Sequence, residues 1–157
     1  MKKTISIPFA SVLILALSCN SNSDSFGSNY VTFKTLQGWC LPACVIEFTV
    51  TPNKTFYKES NYEGNDGRFF SQKTKRSDWE IIEFFLESTG YRNIHTDPTC
   101  ARCYDGNDYI LEIKDGRFSN TIYYTRTDMV ESIHDFDFTL QQMKNEFLNK
   151  FNQPTPE

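Results

Sequence analysis

The chain has 157 residues, 16 basic and 20 acidic, with a formal net charge of −4, and its size is that of a single domain. It carries no basic stripe, which argues against a nucleic-acid partner and against electrostatic docking on anionic lipid. Fourteen Phe, eight Tyr and two Trp give it ample material for a core.

At the N-terminus, Lys2 and Lys3 precede an apolar run from Ile5 to Leu17 and a small-residue exit, Ala16-Leu17-Ser18-Cys19. A basic start, a short apolar helix and small residues at a cut are the physical requirements of an export signal. The run is too short and too early for a permanent span, which needs about 20 apolar residues. The segment resembles bacterial lipoprotein signals, and the resemblance implies that residues 1–18 are removed and Cys19 is acylated as the new N-terminus. Several acyl chains on Cys19 would make the anchor effectively permanent, since each buried CH₂ adds about 0.8 kcal/mol and one chain alone holds marginally. In such lipoproteins an aspartate after the cysteine favours inner-membrane retention. Asn20 stands there instead, so the expected location is the cell envelope, at the outer rather than the inner membrane.

Residues 19–29 read as a flexible tether. Asn20 to Asn29 (NSNSDSFGSN) is polar and Gly/Ser-rich, with Phe26 alone to bury, and reaches up to about 33 Å when extended. Without Lys2 and Lys3 the chain keeps 14 basic and 20 acidic residues, a net charge of −6. The lipid, and not surface charge, is then the expected contact with the membrane.

Residues 30–151 are expected to form a single α+β domain, followed by a disordered tail at 152–157. Tyr30 to Leu36 is β-rich and loosely alternating, and Gly38 to Pro42 breaks it. From Cys44 to Val50 the alternation is clean: Cys44, Ile46, Phe48 and Val50 point one way. Pro52-Asn53-Lys54 turns the chain into a third strand, Thr55 to Glu59, and Asn65-Asp66-Gly67 into a fourth at the edge, Arg68 to Lys73. Ser77-Asp78-Trp79-Glu80 has the form of a capping box ahead of Ile81, Ile82, Phe85 and Leu86 at helical spacing, and Gly90 suits a left-handed cap. Asn93 to Asn107 is irregular. Tyr109 to Lys114 and Phe118 to Arg126 pair about the Asp115-Gly116 turn. The last helix runs from near Asp135 to Phe151, with Phe136, Leu140, Met143, Phe147 and Phe151 on one face, and Pro154 and Pro156 follow it. The expected architecture is an antiparallel sheet of two hairpins plus an N-terminal strand, covered on one face by two helices.

Cys40, Cys44, Cys100 and Cys103 are an even set in a small exported domain, which reads as two disulfides with three possible connectivities. Local pairing, Cys40–Cys44 and Cys100–Cys103, is favoured by geometry. Bonded Cα atoms must lie within about 7 Å, and each pair sits in a break between strands, bracketed by Gly38 and Pro42 or by Pro98 and Gly106. The order of elements, with Gly38-Trp39-Cys40-Leu41-Pro42-Ala43-Cys44 leading into a strand, resembles a bacterial domain family of unknown function found in exported proteins and lipoproteins. The resemblance spans Tyr30 to about Phe151 and implies the fold alone; Cys100 and Cys103 are additions to the family's pattern.

Both cysteine spacings also suit zinc knuckles, which makes a cysteine-based zinc or thiol redox protein the alternative reading. An oxidising compartment favours disulfides over zinc. Redox chemistry of the thioredoxin type wants its first cysteine at a helix N-terminus, where this chain has a loop. His95 and His134 are the two histidines, and His134-Asp135 reads as the start of a helix capped by Asp135 or Asp137. Asp105, Asp108, Glu112 and Asp115 resemble an acid/base or cation cluster but fit turns and the solvent face of a strand. Tyr104, Tyr109, Tyr123 and Tyr124 with Trp39 would suit a glycan or peptide surface, or a core. Phosphate loop, serine elbow and metal-protease helix are missing. No catalytic residue, metal site or cofactor is therefore assigned. The expected function is a lipid-anchored, non-enzymatic binding or structural domain with an envelope protein or glycan as partner, and inhibition of an exported hydrolase would also fit its size and compartment.

Overall fold

The computed structural model describes residues 27–39, 43–64 and 66–152. The expected export signal, Cys19, most of the expected tether, Cys40 and the expected tail after Asn152 lie outside the described residues. Strands β1 (Asn29–Gln37), β2 (Val45–Val50), β3 (Lys54–Ser60), β4 (Asp66–Lys73), β5 (Asn107–Asp115) and β6 (Phe118–Tyr124) form one antiparallel sheet in the order β4-β3-β2-β1-β5-β6. With helices α1 (Arg76–Ser88) and α2 (His134–Phe151) the fold is α+β.

The N-terminal strand, whose place in the sheet the sequence left open, joins the two hairpins. β1 lies in the middle, paired with β2 and β5, with Val31 between Val50 and Ile113 and Phe33 between Phe48 and Leu111. Its composition suits that place, because Val31, Thr32 and Phe33 are all buried although they alternate between the two faces.

One face of the sheet is apolar. Val31, Phe33, Phe48, Val50, Tyr57, Leu111, Ile113 and Ile122 fall at alternate positions of their strands and join one core. α2 crosses this face diagonally from β6 to β4: Tyr124 donates its hydroxyl to Asp137 (2.5 Å), Phe147 meets Phe48 edge-on at 5.8 Å, and Phe151 stacks on Phe70 at 4.6 Å. α1 enters the same core through Trp79 and Ile82, and its Phe85 stacks on Phe136 of α2 at 5.0 Å. Each such side chain contributes about 1.5–3 kcal/mol when fully buried. The opposite face is mixed, with Phe56, Phe69, Ile110 and Tyr123 among its polar residues, and among the described residues it bears no helix. There the Thr32 and Thr49 hydroxyls share a hydrogen bond (2.9 Å), and Lys34 bridges Glu47 (3.0 Å) and Glu112 (2.9 Å). Burial works against the Lys34 charge, and Glu112 and Glu47 outweigh it, so the ammonium pKa is raised.

Two local expectations are corrected. The capping box does not form: α1 starts at Arg76, extended Lys75 is its N-cap, and no side chain caps it. Ser77 is exposed in the first turn, its hydroxyl 3.3 Å from Asp78 Oδ1. The Thr74 hydroxyl, bonded to that of Thr55 (2.9 Å), holds the end of β4, and burial of Trp79 and Ile82 then sets the helix phase one residue ahead of the cap motif. The reversal before β4 also comes earlier than Asn65-Asp66-Gly67. The Gly64 amide donates to the Asn61 carbonyl (3.1 Å), Gly64 takes the left-handed conformation (φ 80°), and Asp66 and Gly67 already belong to β4. Gly90 is left-handed at the end of α1 (φ 62°), as its position suggests.

Candidate functional site

The C-terminal end of β1 and the start of β5 carry the loops that bear the cysteines. Leaving β1, Gly38 donates its amide to the Gly106 carbonyl (3.0 Å), and Gly106 donates to Ala101 (2.9 Å). A Cβ on Gly38 would stand 2.8 Å from the Arg102 carbonyl oxygen, and one on Gly106 would stand 2.9 Å from that of Ala101. The two backbones approach so closely that only glycine fits at either position.

Cys100 and Cys103 are joined by a disulfide, with Cα atoms 5.3 Å apart, across a short 3₁₀ turn, Ala101–Tyr104. That bond precludes a bridge from either cysteine to Cys40 or Cys44. Cys44 is also disulfide-bonded. Asp108, only 2% exposed, lies at the foot of this loop. Its Oδ1 accepts from the Thr99 hydroxyl (2.7 Å) and the Ala101 amide (2.7 Å), its Oδ2 from the Arg102 amide (3.4 Å), and Arg102 Nε stands 3.7 Å away. The carboxylate thus satisfies backbone donors that a tight loop cannot pair internally.

Around this frame stand exposed aromatic rings. Tyr62, from the turn before β4, donates its hydroxyl to the Gln37 carbonyl, and the Arg102 guanidinium lies over its ring at 5.8 Å. Gly38, Tyr62, Arg102 and Cys103 line a cleft of about 340 Å³. Trp39 and Tyr104, next in sequence to Gly38 and Cys103, are 79% and 89% exposed. Tyr62 went unnoticed in the sequence, although an aromatic ring inside a polar turn is itself a signal.

The other expected members of the aromatic surface are elsewhere. Tyr109 and Tyr124 are register partners on the core face, stacked at 5.6 Å, and Tyr109 also stacks on Phe33 at 6.0 Å. Tyr123 pairs with Ile110 on the open face. The carboxylates do not gather into a cluster either. Asp105 occupies a left-handed turn position (φ 64°), Glu112 serves Lys34, and Asp115 binds Arg92 (2.6 Å) and the Tyr91 hydroxyl (3.0 Å) at the far end of β5. Among the described residues no group of three or more His, Cys, Asp and Glu is placed to hold a metal ion. His95 is exposed, and His134 begins α2 with Nδ1 3.5 Å from Asp135. Neither Asp135 nor Asp137 caps that helix. Asp137 is buried, accepting from Tyr124 and from Gln141 (2.6 Å), and burial followed by the Asp137 charge pushes the Tyr124 pKa far up. Lys144 of α2 lies over the Phe33 ring at 5.0 Å, and burial lowers its pKa.

A second cleft, of about 400 Å³, opens at the opposite end of the sheet, lined by Asn29, Trp79, Glu83, Glu87, Arg92 and Asp115 among others. The Trp79 indole donates to Glu83 there (2.7 Å). Among the described residues no helix is long and apolar enough to cross a membrane. No family model and no curated protein matches the chain, so the functional reading stands on its residues and their geometry.

Proposed function

We propose that this chain is a lipid-anchored protein of the bacterial cell envelope whose domain binds an envelope partner, a glycan or a protein, without catalysis. The observation that supports the reading is the pair of almost fully exposed rings, Trp39 and Tyr104, held on a frame braced by a disulfide, two close-packed glycines and a buried carboxylate. Aromatic rings gain most from burial and are enriched in binding surfaces, so large rings displayed on a rigid support suit a partner. The display also faces away from the tether. β1 has nine residues, and its two ends are about 26 Å apart.

The chain has two tryptophans, so Trp79→Phe leaves Trp39 as the sole indole reporter. On addition of isolated cell-wall glycan, the protein is expected to co-sediment and the Trp39 emission to shift, with both effects lost in Trp39→Ala/Tyr104→Ala. A photo-crosslinker at position 104 tests the protein partner in cells. Absence of both glycan binding and a specific crosslink, or binding indifferent to the double substitution, would overturn the assignment.

A thiol redox role is the second reading, favoured by the exposure of both Cys100 and Cys103. Free-thiol titration under graded reductant, combined with metal analysis, separates the two. Cysteines that stay unreactive with no bound metal support the binding domain, whereas a readily cycled dithiol or stoichiometric zinc supports the alternative.

A further inference from the structure

The tether joins the fold at residues 27–29, and its junction is fastened. The Gly116 amide, in the β5–β6 turn, donates to the Ser28 carbonyl (3.0 Å) and to Asn29 Oδ1 (2.9 Å). At this same end the strand register lays out a row of cations that the linear sequence scatters over 60 residues. Lys73 of β4 lies opposite Lys54 of β3, and Lys114 of β5 lies opposite Tyr30 of β1. Each is one position out of phase with a core residue of its strand, so all point to the face opposite α1 and α2. Lys75 and Arg117 extend the row at its two corners. Lys54, Lys73, Lys75 and Arg117 are exposed and Lys114 is half-buried. Among the described residues none of the five has an ion-pair partner; of the nearby acids, Asp115 is committed to Arg92 and Glu112 to Lys34, while Asp78 beside Lys75 meets the Ser77 hydroxyl (3.3 Å). Glu83 and Glu87 lie on the helical side, in the second cleft.

We propose that this rim is a docking surface for an anionic phospholipid bilayer, namely the leaflet that holds the tether. Lys73 and Lys114 are four strand spacings apart, about 19 Å, which makes an extended array suited to many headgroups and not to one small anion. A mature chain of net charge −6 would be repelled by such a surface in most orientations, and this rim is the end it can present. The tether confines the rim within about 33 Å of the bilayer, a high effective concentration at which weak attraction suffices. The domain then rests tether end down, with Trp39 and Tyr104 directed away from the membrane. The sequence reading, which saw no basic stripe, missed the rim because strand pairing and not chain order assembles it.

The inference rests on the anchoring reading only in placing a membrane nearby, and its test does not use the acyl chain. The mature chain from residue 19 to residue 157, with Cys19→Ser, is sedimented with vesicles of phosphatidylcholine alone or with added phosphatidylglycerol. Binding is expected to the anionic vesicles only, to be abolished near 1 M salt, and to fall at least about tenfold in Lys54→Glu/Lys73→Glu/Lys114→Glu but not in Lys150→Glu. In the acylated protein on the same vesicles, brominated lipid should leave Trp39 emission unquenched in the Trp79→Phe background. Equal binding to neutral vesicles, indifference to the triple substitution, equally tight binding to duplex DNA, or quenching of Trp39 would each overturn the proposal. Loss of fatty-acid labelling at Cys19 bears on the anchor alone.

Discussion

Buried beneath the cysteine loop, Asp108 accepts from Thr99, Ala101 and Arg102 at once, and so ties that loop to the start of β5. Removing it leaves two partly buried backbone amides and a partly buried hydroxyl without their acceptor, each costing about 1–3 kcal/mol where water cannot replace the partner. Asp108→Ala is therefore expected to destabilise the protein by about 3 kcal/mol. The damage should be local, with amide exchange accelerated at Ala101 and Arg102 before the β1 core responds. Unchanged protection at those two amides would show that the disulfide and glycines hold the loop alone. This role was not legible in the sequence. Asp108 occupies an even position in a strand whose odd positions, Tyr109, Leu111 and Ile113, face the core, so alternation assigned it to solvent. It is buried because a loop from before the strand folds over it, a non-local event that period-two patterning does not report. Asp137 was misread for the same reason, since its partner Tyr124 comes from another element.

At the scale of elements, the β3–β4 hairpin has its own lock. Glu59, at a register shift between Lys58 and Ser60, accepts two hydrogen bonds from Arg68 (3.0 and 2.7 Å) and one from Tyr57 (2.5 Å). The Arg68 hydrogen bonds, with smaller help from Tyr57 and against the cost of burial, hold the Glu59 pKa below its usual value. The folded state therefore binds this proton less readily than the unfolded state. The lock's contribution is complete above about pH 4.5 and is lost as pH falls through the folded value. Arg68 is half exposed while Glu59 is nearly buried, so the expected cost of Arg68→Ala at pH 7 is only about 1–2 kcal/mol. Urea unfolding at pH 7 and about pH 3 should show this gap closing in acid, and a gap that stays constant would mean that the pair contributes nothing ionic. The strands and helices themselves were largely legible, because hydrophobic periodicity reports local structure directly. What failed was phase and partnership. The capping motif at Ser77 lost to the burial of Trp79 and Ile82, and nothing in the alternation of β1 showed that it would pair with β5, some 80 residues away.

On the scale of the whole molecule, the two ends of β1 divide the surface into a tether end ringed by lysines and a tip bearing exposed rings, a polarity that net charge and composition conceal. Attachment and orientation should accordingly be separable. On the proposed reading Cys19 would supply attachment: with several acyl chains at about 0.8 kcal/mol per CH₂, partition into a bilayer would be effectively permanent and not screened by salt. The rim supplies orientation through charges that salt does screen. The expectation is that wild-type protein stays in the membrane fraction near 1 M salt, and that the Lys54/Lys73/Lys114 charge reversal stays there too, because acylation alone holds it. Cys19→Ser should instead accumulate as unprocessed precursor with no incorporation of labelled fatty acid, since the substitution removes the thiol proposed to receive the lipid. Labelling that persisted in Cys19→Ser would place the modification on another residue. Wild-type protein released by salt would mean that charge and not lipid holds the chain to the membrane, which would reverse the parts assigned to the two ends.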